Sequence, residues 1–323
     1  MSSISMLKPR IASLSTLVSP ILTALLFLAA PTPAAAANGI LYAFGDSAID
    51  TGNILIVTSG ATPDPAAGYW EGRFCDGLNY LDRVAAASPN WACVPALAQG
   101  TNGAFGGGES GPGYSTKYGT PNLQEQIGLF MQEYPGLRFA ERDVILISSG
   151  HNDLLSHLAS PPPTATIVQY IMESVAALAD IGGRVFVIPT TIPIQYSPAV
   201  QGSQESTPQQ VQTWLTAFNA SLTAELAAYA AADQRLTIIR TDLFTKTTDI
   251  YANPASYGLT DVTRPSYDGQ GDPETSLWFD ACHVTSKVST FLADGVVNDL
   301  KTTYGPLAPG VAPAVSSLLL QYD

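Results

Sequence analysis

Short apolar runs alternate along the chain with longer helix-like segments. The four clearest runs have turn signals nearby and cover residues 40–44, 144–148, 185–189 and 236–241. Short continuous apolar runs are typical of strands that are buried on both faces of a parallel sheet. The pattern therefore predicts these four runs as strands of one parallel sheet.

Three of the longer segments have the composition of helices. Residues 166–181 stop at Gly182-Gly183, residues 208–232 are rich in Ala, Leu and Gln, and residues 285–300 close the domain. Strands and helices alternate with no internal repeat and no long linker, so we expect one α/β domain. Three long irregular stretches remain, at residues 60–77, 100–118 and 253–276. Long irregular stretches in a compact domain often carry function.

The first residues differ from the rest of the chain. Lys8 and Arg10 precede an apolar run at 21–30, which is followed by prolines and four alanines. This order is typical of a secretory signal peptide, and the run is too short for a comfortable membrane span. We therefore expect residues 1–37 to be a signal peptide and residues 38–323 to be one exported domain, secreted or periplasmic.

Composition and charge exclude several classes of protein. The chain has 323 residues, 46% hydrophobic and 13% charged, which excludes disordered and collagen-like classes. Its formal net charge of −13 becomes −15 when the signal peptide, with two cations and no carboxylates, is removed. So acidic a surface repels phosphate backbones and anionic membranes, and we expect no nucleic-acid partner.

Three cysteines, Cys75, Cys93 and Cys282, lie in the expected mature chain. In an exported protein Cys75 and Cys93 are able to close a modest loop as a disulfide, which leaves Cys282 unpaired. Three buried thiols are the alternative. The spacing is not that of a metal site, and we expect no metal.

Polar residues follow the predicted strands at the edge where open parallel sheets bind ligands. Ser47 ends "GDS" after the first strand, and Asn152 lies in "GHND" after the second. "NGAFGGG" at 102–108 lies between them, and "DACH" ends at His283. Acyl transfer from an ester needs these kinds of group: a nucleophile, a base held by a third residue, and donors for an oxyanion.

In this order the four segments resemble the motifs of the GDSL esterase/lipase family, also called SGNH hydrolases. "GDS" with the following "DTGN" resembles the first block, "NGAFGGG" the second, "GHND" the third and "DACH" the last. "GGRVFVIPTTIPIQYSP" and "DIYANPASYGL" resemble stretches of longer secreted members, so the resemblance covers nearly the whole expected mature chain. It implies a three-layer α/β/α fold with a parallel sheet of about five strands in flavodoxin-like order.

The same resemblance implies a role for each site residue. Ser47 is expected to be the nucleophile and His283 the general base, with Asp280 orienting the imidazole. The expected oxyanion donors are the amides of Ser47 and Gly106 and the side-chain amide of Asn152. No cofactor is implied.

Two positions depart from the family pattern, and one assignment has a competing neighbour. Ala48 stands where the family usually has leucine, which is expected to open room beside the nucleophile. Val284 stands where proline commonly follows the histidine, which is expected to loosen the last loop. Gly107 is the alternative to Gly106 as an oxyanion donor.

Several residues also have simpler interpretations. Taken alone, Ser47 suits a helix cap and Asn152 a turn. His151 is the second choice as base, and His157 is expected to be an ordinary helix residue. Ser110 lies in "GESGP", which lacks the last glycine of a nucleophile elbow. Asp46, Asp50 and Asp153 are expected to brace loops, and Tyr69, Trp70 and Phe74 to line either the pocket or a loop core.

The sequence thus predicts a secreted serine esterase or lipase that forms an acyl-enzyme on Ser47. An acyltransferase with the same triad and an alcohol acceptor is the first alternative. An inactive carbohydrate- or lipid-binding protein is the second, but no triad or oxyanion residue is missing from the sequence. Small-molecule, lipid and acylated-carbohydrate esters all fit the same residues, so the substrate is left open.

Overall fold

Four parallel strands form the central sheet in the computed structural model, which describes residues 39–305 and 307. Their order across the sheet is β1-β2-β3-β4. The strands are β1 (Leu41–Gly45), β2 (Val144–Ser148), β3 (Val185–Val187) and β4 (Thr237–Ile239). All four coincide with the predicted apolar runs. The predicted signal peptide lies outside the described residues.

The expected fifth strand is replaced by an irregular segment, residues 101–105, beside β1. The Ala43 amide donates to the Thr101 carbonyl at 3.1 Å, and the Gly103 amide donates to the Ala43 carbonyl at 2.8 Å. These bonds form only an isolated parallel bridge, and the Asn102 side chain donates to the Ile49 carbonyl in the loop after β1. The prediction of about five strands is therefore corrected to four, while the position of this segment agrees with a flavodoxin-like order.

The described part of the chain contains nine α-helices, and six of them pack against the sheet. The three predicted helices are present: the one over residues 208–232 has the predicted bounds, and the ends of the other two differ from the prediction by at most three residues. The helices are α1 (Asn53–Val57), α2 (Tyr80–Ala85), α3 (Leu123–Glu133), α4 (His151–Leu155), α5 (Thr164–Asp180), α6 (Pro198–Gln201), α7 (Pro208–Ala232), α8 (Leu243–Ala252) and α9 (Ser286–Thr303). Thr207 caps α7 in a capping box with Gln210, which explains why this helix begins where the sequence indicates.

Alternate residues of each strand enter two separate hydrophobic cores. Along β2, Val144 and Leu146 pack with α2, α8 and α9, whereas Ile145 and Ile147 pack with α3, α5 and α7. All four side chains are fully buried, as expected for a strand covered by helices on both faces. The predicted three-layer α/β/α arrangement is confirmed.

One of the predicted irregular stretches contains regular structure. The strand β5 (Asp261–Pro265) lies within 253–276 and pairs in parallel with β6 (Ser276–Trp278), which begins at the end of this stretch. The other two long stretches are turns and bends, apart from a short 3₁₀ turn at Pro65–Ala67. Because β6 is buried and leads directly into the "DACH" segment, this small sheet fixes one side of the candidate site.

The three cysteines are free thiols, so the possible Cys75–Cys93 disulfide does not form. The Cys75 thiol donates to the Gly77 carbonyl at 3.1 Å, and the Cys93 thiol to Asp82 Oδ1 at 3.0 Å. Burial raises the pKa of Cys75 to about 12. In the part of the chain with coordinates, no helix has the length and apolar character that a bilayer crossing needs.

Candidate active site

A cavity of about 470 Å³ opens at the carboxyl ends of the strands. Ser47 follows β1, Asn152 lies in α4 directly after β2, and His283 follows β6. All three line this cavity. Chain segments that are distant in sequence are thus brought together at the edge where open α/β sheets bind ligands.

Ser47, His283 and Asp280 form a continuous chain of hydrogen bonds. The Ser47 hydroxyl lies 2.7 Å from His283 Nε2, and His283 Nδ1 lies 2.6 Å from Asp280 Oδ2. Asp280 Oδ1 also accepts the backbone amides of Cys282 and His283. In the neutral imidazole, a proton on Nδ1 is donated to Asp280, and Nε2 is then the acceptor of the serine hydroxyl.

Ser47 is not a helix cap. It lies in a turn between β1 and α1, and the N-cap position of α1 is Gly52, which makes no side-chain capping bond. Its hydroxyl instead faces the imidazole of His283. The simpler interpretation of this serine is therefore excluded by the geometry.

The Asp280 carboxylate and the His283 imidazole shift each other's pKa. Burial by itself lowers the pKa of His283, but the charge and hydrogen bond of Asp280, together with Cys282, outweigh burial and raise this pKa well above 6.5. Burial likewise acts to raise the pKa of Asp280, but His283 and the amide donors hold it well below its usual value. The pair therefore favours an imidazolium beside a carboxylate, the arrangement that follows proton abstraction from a serine.

Tyr69 completes the surroundings of Asp280. Its hydroxyl donates to Asp280 Oδ2 at 2.7 Å, the oxygen that also accepts from His283. The sequence predicts Tyr69 in the pocket or in a loop core and does not indicate this contact. No local motif signals it, because 211 residues separate the two partners.

Of the three backbone amides considered as oxyanion donors, those of Ser47 and Gly107 are free, whereas that of Gly106 already has a partner. The amides of Ser47 and Gly107 make no hydrogen bond to other described residues, and both residues line the cavity. The Gly106 amide donates to Asp50 Oδ2 at 2.9 Å. This bond disagrees with the expected role of Gly106 as oxyanion donor, whereas the alternative, Gly107, has a free amide and a φ of +78°, which suits glycine.

The side-chain amide of Asn152 has one N–H to spare. Its Nδ2 donates to the Gly108 carbonyl at 3.0 Å, and an amide NH₂ carries two hydrogens. The second hydrogen is available to a ligand in the cavity that Asn152 lines. This bond also joins the end of β2 to the glycine-rich loop, so donors from the two segments are held in one arrangement.

Asp50 and Asn53 of the first block hold the glycine-rich loop in place. Buried Asp50 accepts the Gly106 amide as well as amides at the start of α1. Asn53 Nδ2 donates to the carbonyls of Asn102 and Ala104 at 2.8 and 2.9 Å. Burial raises the pKa of Asp50 to about 6. As the sequence predicts for Asp50, these side chains brace the loop rather than face the nucleophile.

The other candidate nucleophile and bases have different partners. His151 Nε2 accepts the Ile192 amide at 3.0 Å and is not free to act as a base toward Ser47. His157 lies in an exposed turn after α4, not in a helix, with its Nε2 3.3 Å from Glu109. Ser110 is fully buried and donates to Asp153, and its hydroxyl contacts no histidine of the described chain.

The predicted aromatic residues separate into different roles. Phe74 lines the cavity, with its ring centroid 5.2 Å from that of His283. Trp70 instead carries the guanidinium of Arg73 over its ring at 5.0 Å. Of the three predicted aromatic residues, only Phe74 therefore contributes to the cavity wall beside His283.

Asp280, Cys282 and His283 are the one described group with metal-ligand atoms close together, within 4.8 Å of one another. Two of these atoms, Asp280 Oδ2 and His283 Nδ1, are 2.6 Å apart. Ligands of one tetrahedral zinc lie roughly 3.3 Å apart, because each bond is about 2.0 Å long. A hydrogen bond therefore fits this pair better than shared coordination.

The chain belongs to the GDSL-like lipase/acylhydrolase family, whose model matches residues 41–296. Its curated relatives include a GDSL esterase/lipase of Arabidopsis thaliana, 23% identical over 305 residues, covering 81% of this chain and 89% of the relative. An acetylesterase of Thermothelomyces thermophilus is 27% identical over 148 residues, 44% of this chain and 48% of that protein. At the level of the family, the protein is thus an ester-hydrolysing enzyme.

Solved structures similar to this chain have low sequence identity to it. A lipolytic protein of the G-D-S-L family from Veillonella parvula matches with a TM-score of 0.42 and 12% identity, over 83% of this chain and 99% of that one. A family two carbohydrate esterase from Clostridium thermocellum has a TM-score of 0.44 and 13% identity, over 87% of this chain and 68% of that one.

Proposed function

We propose that the protein hydrolyses carboxylic esters through an acyl-enzyme on Ser47, as an exported enzyme. The observation that carries this proposal is the chain of hydrogen bonds from Ser47 through His283 to Asp280, at 2.7 and 2.6 Å. Export is inferred from the N-terminal sequence alone.

In the acylation step, Ser47 Oγ attacks the ester carbonyl carbon while His283 Nε2 takes the hydroxyl proton. The carbonyl oxygen becomes an oxyanion that accepts the N–H groups of Ser47, Gly107 and Asn152. Donors fixed before the reaction stabilise charge that develops only in the transition state. Collapse of the intermediate breaks the bond to the alcohol oxygen, and His283 gives that oxygen the proton.

In the deacylation step, water takes the place of the alcohol. His283 removes a proton from the water as it attacks the acyl carbonyl carbon, and the same donors hold the second oxyanion. The bond to Ser47 Oγ then breaks, the serine recovers its proton from His283, and the carboxylic acid leaves. Asp280 remains a carboxylate throughout and stabilises the imidazolium in both steps.

The proposal is tested with the hydrolysis of 4-nitrophenyl butyrate by the purified protein. Ser47→Ala is expected to lower kcat by about 10⁴-fold or more, since the nucleophile is removed. Ser160→Ala serves as the matched control, because Ser160 is exposed and lies outside the cavity lining. Equal thermal unfolding midpoints for the two variants would show that the fold is retained.

The result that overturns the proposal is a folded Ser47→Ala variant that keeps more than about a tenth of the wild-type rate. Transfer of the acyl group to added glycerol in preference to water would instead retain the triad and identify an acyltransferase. Measuring the free acid and the glycerol ester in the same reaction separates these two outcomes.

A further inference from the structure

The cavity extends past the catalytic residues into the interior of the domain. Several of its lining residues are almost inaccessible to solvent, among them Tyr80, which is 5% exposed, and Leu243, Ser289 and Leu292, which are each 2% exposed. We call these four residues the inner chamber. They come from α2, α8 and α9, which cover one face of the sheet. The Tyr80 hydroxyl is bonded to Ser148, so the chamber presents mainly apolar surface.

Ala48 lies where the nucleophile meets this chamber. It follows Ser47 directly and lines the same cavity. It also packs against the hydrophobic core that contains Tyr80, Leu243 and Leu292. Because its side chain is one methyl group, space beside Ser47 remains open that a larger aliphatic side chain would fill.

The acyl group, rather than the alcohol, suits a closed chamber. During turnover the alcohol must leave and water must enter, whereas the acyl group stays bonded to Ser47. The alcohol oxygen takes its proton from His283, whose side chain is 17% exposed and so has access to solvent. The nearly closed part of the cavity is therefore the part that is left for the acyl chain.

We propose that the inner chamber binds the apolar acyl chain of the ester and that Ala48 sets the chain length accepted. This inference rests on the proposed function and names its substrate class, esters of medium-length fatty acids. A methylene group is similar in size to a water molecule, which occupies roughly 30 Å³ in the liquid. A cavity of about 470 Å³ therefore holds roughly fifteen non-hydrogen atoms, which is enough for an octanoyl group and part of its alcohol.

The test compares kcat/KM for 4-nitrophenyl octanoate with kcat/KM for the acetate in wild type and two matched variants. Wild type is expected to prefer the octanoate, because six more methylene groups leave water. Ala48→Leu is expected to lower the octanoate-to-acetate ratio at least tenfold. Ala199→Leu enlarges another half-buried alanine of the same cavity, on α6, and is expected to change the ratio less than threefold.

A second variant reaches the chamber from a different element. Ser289→Val on α9 is also expected to lower the octanoate-to-acetate ratio, so the result does not depend on Ala48→Leu folding well. A series of alkyl acetates, in which only the alcohol grows, is expected to show no such dependence on Ala48.

Three results would overturn the assignment of the chamber. They are a wild-type preference for acetate, an unchanged ratio in both Ala48→Leu and Ser289→Val, and a loss that appears in Ala199→Leu or in the alkyl acetate series instead. Each leaves the proposed function standing, because acetate hydrolysis that depends on Ser47 is measured separately. Failure of the proposed function would appear as Ser47→Ala hydrolysing the acetate like wild type.

Discussion

The hydroxyl of Ser47 lies 2.7 Å from Nε2 of His283, although 236 residues separate them in sequence. The histidine is held by a tight loop in which the Phe279 amide donates to the His283 carbonyl at 2.8 Å. The loop ends at α9, whose cap Thr285 accepts the Val288 amide. Because both residues are held by fixed backbone, the pair is arranged before substrate binds.

The pH dependence of kcat/KM should follow the protonation of His283. Only the neutral imidazole accepts the Ser47 proton, so the rate is expected to rise with pH. The midpoint is expected above 6.5, because Asp280 raises the histidine pKa. Asp280→Asn removes the raising charge and is expected to move the midpoint to lower pH, with kcat falling roughly 10³- to 10⁴-fold. An unmoved midpoint in that variant would show that another group controls the profile.

Tyr69→Phe should shift the same profile in the opposite direction. Loss of the hydroxyl removes a donor that lowers the pKa of Asp280, so more of the carboxylate charge acts on His283. The midpoint is expected to rise and kcat to fall severalfold. Tyr267→Phe is the matched control, since the rings of both tyrosines pack edge-on against Phe279 while the hydroxyl that reaches Asp280 belongs to Tyr69. Equal midpoints in the two variants would argue against Tyr69 as a positioning residue.

Asn152→Ala should lower kcat far more than it changes KM. The side-chain N–H is proposed to bind an oxygen whose charge develops in the transition state, and one such donor contributes roughly 10²- to 10³-fold. Asn253→Ala, at an exposed amide bonded to Asp249, is the control. A raised KM with unchanged kcat would place Asn152 in substrate binding instead.

Asp153→Asn should change how stability depends on pH. Burial raises the pKa of Asp153 from 3.8 to about 6. The folded state therefore holds this proton more tightly than the unfolded state, and its contribution to the free energy of unfolding falls as pH rises from 3.8 to 6. The full effect is at most about 3 kcal/mol.

Urea unfolding of wild type and Asp153→Asn at pH 4 and pH 6.5 measures this effect. As pH rises from 4 to 6.5, the free energy of unfolding of the wild type is expected to fall relative to that of the variant, because the variant cannot titrate at this position. Any pH-independent cost of the substitution cancels in the comparison. A stability difference that stays constant, or that changes in the other direction, would contradict the raised pKa.

Sequence patterns locate elements well where local signals are strong. Val144–Ser148 is an unbroken apolar run, and Pro208–Ala232 has a cap at Thr207, so both were predicted with the observed bounds. The six-residue helix at Tyr80–Ala85 is not predicted, because it is too short to show periodicity, although it begins with an Asn79–Asp82 capping box. The strand at Asp261–Pro265 was missed because it is partly exposed and contains proline and charged residues.

Within the site, motifs identified the residue types, but only long-range contacts separate neighbouring candidates. The sequence alone does not distinguish Gly106 from Gly107 as the candidate oxyanion donor. Asp50, 56 residues from Gly106, accepts the Gly106 amide, whereas Gly107 lines the cavity and its amide makes no hydrogen bond to other described residues. The bond from Tyr69 to Asp280 and the buried extent of the cavity behind Ala48 likewise depend on the packing of distant elements.

The most direct test of the account is to locate the covalent adduct of a fluorophosphonate that reacts with activated serines. Intact-mass analysis of the wild-type protein is expected to show one adduct, and peptide mapping to place it on Ser47. His283→Ala is expected to abolish labelling while the protein stays folded. An adduct on Ser110 or on another serine, or labelling that persists without His283, would contradict the central claim.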